Sequence, residues 1–271
     1  VDRSPRERAA AAKSWQDACQ QLTREIKLRH YSPSTEKTYL HYVRRFQAFT
    51  YNTHLDSITT EHARDYLADF AVKGHASASA QNLAFNALLF LFRHVLHREY
   101  VIPADTPRAK RPRSVPSVLS QDETAALLRN LTHPFKLMAQ LTYACGLRIS
   151  EVTTLRIKDL DLTRGMLTLR HAKGARDRTV PLPHAIMPQL RDQTNFAKKK
   201  WEEDCRQGSD GVFMPDGYEA KFGKQAKSVA WYWLFPAPHL TTVEQTGTRK
   251  RYHLHSSVFR RHLRAAVNAV G

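Results

Sequence analysis

The sequence predicts a mainly α-helical protein with a small β-sheet, an α+β fold in two domains. Apolar residues recur at helical spacing through most of residues 14–96 and again through 256–269. Apolar and polar residues alternate in 166–170 and 179–182, which predicts two strands joined by a turn. A length of 271 residues suits two domains. The predicted boundaries are a helical domain of 1–105, a linker of 106–118 and a second domain of 119–271.

The charge balance favours a polyanionic partner. The chain has 42 Lys and Arg against 25 Asp and Glu, a formal net charge of +17, and an excess of this size is typical of nucleic-acid-binding proteins. Three scattered cysteines form neither an even disulfide framework nor a C-x-x-C metal pair. No apolar run approaches the roughly 20 residues of a membrane span. We therefore expect a cytoplasmic protein with no membrane segment and no metal site.

The first domain is predicted to contain four or five helices. Five apolar residues recur at helical spacing in one of them: Tyr39, Tyr42, Val43, Phe46 and Phe49. The segment Ser32-Pro33-Ser34 supplies the chemistry of a helix start. Lys37, Arg44 and Arg45 fall on the polar side of this helix, where they can lie on a DNA backbone. A solvated charged face on a helical bundle explains each of them equally well.

The linker is rich in cations and contains no acid. Three prolines within 106–116 forbid a helix, and an extended segment can place its cations on successive phosphates. Four cations are expected to do so: Arg108, Lys110, Arg111 and Arg113. Ser120 with Glu123 then forms a capping box, so the second domain's first helix is predicted to start there.

Within the second domain, a short joint between two helices is predicted to hold Arg148 rigidly. Gly146 ends a largely apolar helix beginning near Phe135, because glycine adopts the left-handed cap at low cost. A second helix with Val152 on its buried side follows at once. An alternative for Arg148 is a structural pair with Glu151. The following hairpin has a basic tip, where Arg176 and Arg178 are candidate DNA contacts. Residues 193–247 are predicted to be less regular.

Two motifs of the second domain resemble those of the tyrosine site-specific recombinases, the phage integrase family. Residues 144–152 resemble the first catalytic box, T/S-G-L-R-x-x-E-L, with Arg148 at the arginine position. Residues 171–182 resemble the hairpin pattern G-K-G-x-K-x-R-x-V-P-L, with Lys173 at the catalytic lysine position. Alanine and arginine replace the first glycine and the second lysine, which keeps the turn and the charge.

The resemblance implies a SAM-like helical core-binding domain followed by a tyrosine-recombinase catalytic domain. A guanidinium can hold two phosphate oxygens as negative charge develops, the role implied for Arg148. An ammonium can protonate the leaving 5′-oxygen, the role implied for Lys173. The family forms a 3′-phosphotyrosine, so neither a metal nor a nucleotide cofactor is implied. The implied assembly is a homotetramer on two paired DNA sites.

The aromatic part of the sequence resembles the insertion of the integron integrases, placed here at about 193–252. The matching segments are 211–216, 231–236 and 249–253. In that family the insertion grips bases flipped out of folded single-stranded sites, and a ring can replace the lost stacking partner. The residues that the resemblance assigns to this contact are Trp231, Pro236, Tyr252 and His253. Tyr252 and His253 stand at the positions where the family has two histidines, so Tyr252 is the departure from the family pattern. Trp233 and Phe235 fit a core cluster as well as a DNA contact.

The family's later H-x-x-R box and nucleophilic tyrosine would lie after the helix predicted at 256–269, where this sequence has neither. Its H-x-x-R sequence, His41 to Arg44, lies in the first domain. We therefore expect the catalytic domain to be incomplete, and this chain to bind DNA without cleaving it, while a full-length parent cuts and rejoins recombination sites. The alternatives are a shortened protein that only occupies DNA sites and, with less support, an RNA-binding component.

Overall fold

The computed structural model describes residues 12, 14–74, 76–100, 118–170, 177–215, 218, 223–244 and 246–271. The chain divides into two compact units, Val1–Pro116 and Ser117–Gly271. The described part is mostly helical, with one three-stranded and one two-stranded antiparallel sheet. The predicted α+β fold class is confirmed. None of the helices in this described part is both long and apolar enough to cross a membrane.

The first unit contains four α-helices within its described residues. They are α1 (Trp15–Leu28), α2 (Pro33–Phe49), α3 (Thr60–Val72) and α4 (Ala78–His94). Each begins at a hydroxyl side chain that accepts a hydrogen bond from a first-turn backbone N–H: Ser14, Ser32, Thr59 and Ser77. The predicted helix start at Ser32 and Pro33 is confirmed.

The core of the first unit is built around α4. Phe46 of α2 is fully buried, and so are Leu88 and Leu91 of α4. Burying each such side chain contributes about 1.5–3 kcal/mol. Arg98, after α4, donates hydrogen bonds to the backbone carbonyls of Leu55 (3.1 Å) and Ile58 (2.7 Å). The helical spacing in 14–96 therefore marks true core positions.

The second unit begins with three helices, α5 (Gln121–Arg129), α6 (Phe135–Ala144) and α7 (Ile149–Thr153). The capping box of Ser120 and Glu123 is present: the Ser120 N–H donates to Glu123 Oε2 at 2.7 Å, and the Glu123 N–H donates to Ser120 Oγ at 3.2 Å. Gly146 has φ +61°, which suits the left-handed helix end. The predicted two-helix joint at Arg148 is confirmed.

The three-stranded sheet follows α7. Its strands are β1 (Leu160–Asp161), β2 (Met166–Leu169) and β3 (Arg178–Pro181), in the order β1-β2-β3. Strands β2 and β3 pair antiparallel, with Met166 opposite Pro181 and Leu169 opposite Arg178. The predicted hairpin is confirmed. Strand β1 was not predicted, because two residues are too short to show alternation.

The remaining elements are α8 (Met187–Arg206), β4 (Pro236–Thr242), β5 (Arg249–His253) and α9 (Ser256–Val270). The helix predicted at 256–269 is confirmed. The prediction that 193–247 is less regular is wrong for most of α8 and for β4. Polar residues occupy much of the buried face of α8, which hides its periodicity, and β4 contains two prolines, which are uncommon in strands.

Long-range hydrogen bonds attach the aromatic segment to the chain that follows α7. The Ile157 N–H donates to the Tyr232 carbonyl at 3.0 Å, and the Leu234 N–H donates to the Leu155 carbonyl at 2.8 Å. The Leu254 N–H donates to the Phe235 carbonyl at 2.8 Å. The segment containing residues 229–235 therefore lies against both the α7–β1 segment and β5, which is where the candidate site forms.

Candidate functional site

Arg148 lies at the start of α7 and is held by one carboxylate. Its Nη1 donates to Glu151 Oε1 at 2.6 Å, and its backbone N–H donates to Glu151 Oε2 at 2.8 Å. The Arg148 side chain is still 52% exposed. The structural alternative for Arg148, pairing with Glu151, is thus present, and it leaves half of the side chain open to an anion.

Arg178 joins Arg148 on the same carboxylate. The Arg178 Nη1 donates to Glu151 Oε1 at 3.0 Å and its Nη2 donates to Oε2 at 2.8 Å. Although burial raises the pKa of Glu151, hydrogen bonds from Arg178 and Arg148 outweigh it and hold that pKa at about 2. Two guanidiniums are therefore fixed on one ionised glutamate. Arg178 donates to it through both terminal nitrogens, whereas Arg148 donates through Nη1 and keeps the rest of its fork for an anion.

Beside this cluster lies a cavity of about 460 Å³, within the size range of small-ligand sites, roughly 300–1,000 Å³. Glu151 lines one edge of it. Four segments supply most of the lining: 154–159, 168–170, 213–215 and 231–233. Tyr252 and His253 of β5 also line it. We call this space the aromatic cavity.

Two cations support the tryptophans of the aromatic cavity. The Arg156 guanidinium lies 3.7 Å from the ring centroid of Trp233 and 5.1 Å from that of Trp231. It also donates to the carbonyls of Trp231 (2.6 Å) and Phe213 (2.9 Å). Burial lowers the pKa of Arg156 to about 10. Lys158 Nζ lies 3.1 Å from the Trp231 ring centroid, so both cations stabilise the aromatic wall.

The four predicted base-contacting residues lie in this region. Trp231 is half-buried, Tyr252 is 38% exposed and His253 is 8% exposed, and all three line the aromatic cavity. Pro236 begins β4, opposite His253 in the strand register, and is half-buried. The two residues with open alternatives, Trp233 and Phe235, are 5% and 1% exposed. Both belong to the core, and Trp233 also forms part of the cavity wall.

The predicted contacts of the first unit lie on the exposed side of α2. Lys37, Arg44 and Arg45 are all exposed, and the acid of that helix, Glu36, is half-buried in its first turn. The Arg45 guanidinium lies 4.6 Å from the Phe70 ring centroid. This surface presents positive charge on a rigid helix, as a phosphate backbone requires.

Six predicted site residues lie outside the described residues, so the structure does not place them. They are Lys173 and Arg176 in the hairpin tip, and Arg108, Lys110, Arg111 and Arg113 in the linker. The strands on either side of the tip are described. They bring Arg178 to Glu151, so the hairpin base lies at the Arg148 cluster.

Other residues of the site were not in the sequence-based set. Arg156 and Lys158 carry no motif, and their position depends on contacts with residues more than 70 positions away. Three exposed arginines of α9 form a basic face opposite buried Phe259: Arg260, Arg261 and Arg264. Their spacing in a helix without acids could have revealed them. Among the described residues, no three His, Cys, Asp or Glu side chains are placed to hold a metal ion.

Comparison with known proteins places both parts of the chain. Residues 19–102 match the SAM-like N-terminal domain of phage integrases, and residues 117–271 match the phage integrase family. An integrase/recombinase of Escherichia coli is 34% identical over 251 residues, covering 93% of this chain and 74% of the relative. The tyrosine recombinase XerA of Thermococcus kodakarensis is 32% identical over 163 residues, covering 59% of this chain and 55% of XerA.

The fold is also found in a solved structure. A lambda integrase, solved as a tetramer bound to a Holliday junction, has a TM-score of 0.59 and 15% sequence identity, covering 100% of this chain and 68% of the integrase. The family match spans more than half of the chain, and the Escherichia coli relative extends the match through the first unit. The chain belongs to the phage integrase family of tyrosine recombinases.

Proposed function

We propose that this protein binds DNA recombination sites and that its catalytic unit serves strand exchange through a 3′-phosphotyrosine intermediate. Arg148 binds the non-bridging oxygens of the scissile phosphate. Lys173 protonates the leaving 5′-oxygen, and Glu151, which also binds Arg178, keeps Arg148 in place. Resemblance to the family's two motifs supports the roles of Arg148 and Lys173, and contact geometry supports the role of Glu151.

The observation that carries this proposal is the half-exposed Arg148 guanidinium fixed on ionised Glu151. A cation held before the reaction stabilises developing phosphate charge without reorganising. Among the described residues, Glu151 accepts from the Arg148 side chain through Nη1, so Nε and Nη2 remain available for a phosphate. The adjoining cavity of aromatic residues gives the phosphate a neighbouring site for a base.

DNA contact by both units follows from their basic surfaces. The exposed cations of α2 and the three arginines of α9 are candidates for phosphate contacts, together with the linker cations. The related integrase solved on a Holliday junction is a tetramer. We propose the same assembly on paired sites for this protein.

We further propose an integron-type substrate, a folded single strand with an extrahelical base. The aromatic cavity accommodates that base, with Trp231 as the stacking ring and Tyr252 and His253 among the other residues of the lining. Aromatic stacking of an unpaired base is worth about 1–3 kcal/mol. A bulged hairpin should therefore bind more tightly than a matched duplex.

The test of the catalytic proposal is Arg148→Ala in a protein that continues through an H-x-x-R box and a tyrosine. Covalent complex formation on a nicked substrate should fall at least about 100-fold, while DNA affinity should change little, because the contact matters most in the transition state. Arg164→Ala is the matched control, since Arg164 is 83% exposed on the β1–β2 turn. Equal losses of affinity and cleavage would refute the assigned role.

A further inference from the structure

His253 lines the aromatic cavity and has one ring nitrogen that is not used within the described residues. Its Nδ1 lies 2.9 Å from the Leu254 carbonyl, and because a carbonyl only accepts hydrogen bonds, Nδ1 carries the proton. Within the described residues, the other ring nitrogen, Nε2, makes no hydrogen bond. The neighbouring rings fix the imidazole: Trp233 lies at 5.0 Å edge-on and Tyr252 at 4.1 Å.

In this tautomer Nε2 is a hydrogen-bond acceptor. Burial lowers the pKa of His253, opposed by the hydrogen bond to the Leu254 carbonyl, and the charges of His255 and Arg156 lower it further. The ring is therefore neutral at neutral pH. An acceptor fixed by a main-chain hydrogen bond and two aromatic neighbours is suited to reading a donor on a bound ligand.

Most other charged groups that line the cavity already interact with one another or with an aromatic ring. Lys158 is positioned on the face of Trp231. Arg170 Nε lies 3.5 Å from Asp159 Oδ1, and Arg170 also lies near Asp177. Asp159 Oδ1 is buried and accepts no hydrogen bond from any described residue. Asp159 Oδ1 is thus closed to solvent and lies beside the Arg170 cation, whereas His253 Nε2 has unused capacity.

We infer that the cavity selects an unstacked base whose hydrogen-bonding edge carries an amino group, and that His253 reads that group through Nε2. This inference rests on the proposed capture of an extrahelical base and adds to it the chemical identity of the base. The amino group donates to Nε2, while Trp231 supplies the stacking surface.

The probe is a DNA hairpin with one extrahelical base, varied at that base alone. Adenine is compared with unsubstituted purine, and cytosine with pyrimidin-2-one, because each pair differs only by the exocyclic amino group. Removing the amino group should weaken binding by about three- to tenfold, the effect of one hydrogen bond. Fluorescence anisotropy with the full 271-residue chain measures each affinity.

Two substitutions test the assignment to His253. In His253→Asn the amide can still donate near the Nδ1 position, but nothing replaces Nε2, so the amino preference should fall below about twofold. His253→Gln extends an amide oxygen toward the Nε2 position and should restore part of the preference. His239→Asn, an exposed histidine on the neighbouring strand β4, is the control and should keep the full preference.

The outcomes separate this inference from the function on which it rests. If bulged hairpins bind no better than matched duplex, base capture itself is refuted. If bulged hairpins bind better but adenine and purine bind equally in the unmodified protein, only the amino-group inference is overturned. The same holds if His253→Asn retains the full preference. The base series in the unmodified protein tests the amino-group preference without any variant, and two variants, His253→Asn and His253→Gln, each test the assignment to His253, so a folding failure in one of them leaves both parts testable.

Discussion

The Arg148 cluster and the aromatic cavity are adjacent but are built in different ways. The cluster is mainly local, since Arg148 and Glu151 are three residues apart at one helix start and Arg178 comes from the next hairpin. The cavity joins segments from Glu151 to His253, about 100 positions along the chain. A short motif can therefore specify the cluster, whereas the cavity requires the whole second unit to fold.

The energetics of the two regions differ in the same way. In the cluster two exposed or half-exposed cations share one carboxylate, so solvent screens much of the interaction. In the cavity wall Arg156 is buried with a lowered pKa, and carbonyl oxygens and ring faces offset its desolvation. We expect substitutions in the cluster to change catalysis and substitutions in the cavity framework to change stability.

The largest effect is expected at Asp204, which joins α8 to β5 and to the aromatic segment. Asp204 pairs with Arg251, whose Nε donates to Oδ2 at 2.8 Å, and the Tyr232 hydroxyl donates to the same oxygen at 2.5 Å. Asp204→Ala leaves Arg251 buried and unpaired, so the free energy of unfolding should fall by about 3–5 kcal/mol. Urea unfolding measures it.

The control for Asp204 is Asp192→Ala, an exposed aspartate on the same helix. Its free energy of unfolding should stay within about 0.5 kcal/mol of the unmodified value. If Asp204→Ala also stays in that range, the cavity does not depend on this buried ion pair, and the contrast between the two regions fails.

Glu151→Ala should strongly lower catalysis without a matching effect on base capture. Arg148 and Arg178 lose their shared partner, so cleavage by a chain that includes the H-x-x-R box and tyrosine should fall about 100-fold. Affinity for a bulged hairpin should change less than about threefold. Glu202→Ala, an exposed glutamate on α8, serves as the control. Full activity in Glu151→Ala would show that Arg148 needs no carboxylate to hold it.

Trp231→Ala tests the opposite side of the comparison. Loss of the stacking ring should weaken binding to a bulged hairpin about tenfold and leave matched-duplex binding within about twofold. Trp231→Phe keeps an aromatic face and should recover most of the affinity. Competition binding with the two DNAs gives both values. An equal loss on hairpin and duplex would contradict a base-binding role for the cavity.

The elements predicted correctly from the sequence depend on neighbours in the chain. Ser120 with Glu123, and Gly146 before Arg148, act within one helical turn, so their residue types reveal the structure. The hairpin of β2 and β3 is likewise a local pairing. For the same reason the sequence predicted correctly that Arg148 lies in the joint between two helices.

The features that the sequence did not predict depend on distant partners. The buried face of α8 contains Gln193 and Asp204, which are stabilised there by the Leu234 carbonyl and by Arg251. No periodicity of apolar residues marks such a helix. In the sequence, Arg156 cannot be distinguished from an ordinary surface cation, because its contacts with Trp231 and Trp233 are formed only in the folded protein. The resemblance to the integron integrases identified Trp231, but it did not identify Arg156 and Lys158, the cations that lie against its ring.

The smallest expected effect is on the pH dependence of stability, and it compares one histidine in each unit. Burial lowers the pKa of His253, and burial together with Arg29 lowers that of His94. The unfolded chain binds protons near the ordinary value of about 6.5, so it takes up protons that the folded protein does not. The histidines' contribution to stability is therefore complete above that value and is lost as the pH drops toward the folded-state pKa.

Urea midpoints at about pH 7.5 and about pH 5.5 measure this loss of stability. The loss should be smaller in His253→Asn and in His94→Asn than in the unmodified protein. Only His253→Asn should also abolish the amino-group preference, because only His253 lines the aromatic cavity, and loss of that preference in both variants would refute its assignment to the cavity histidine.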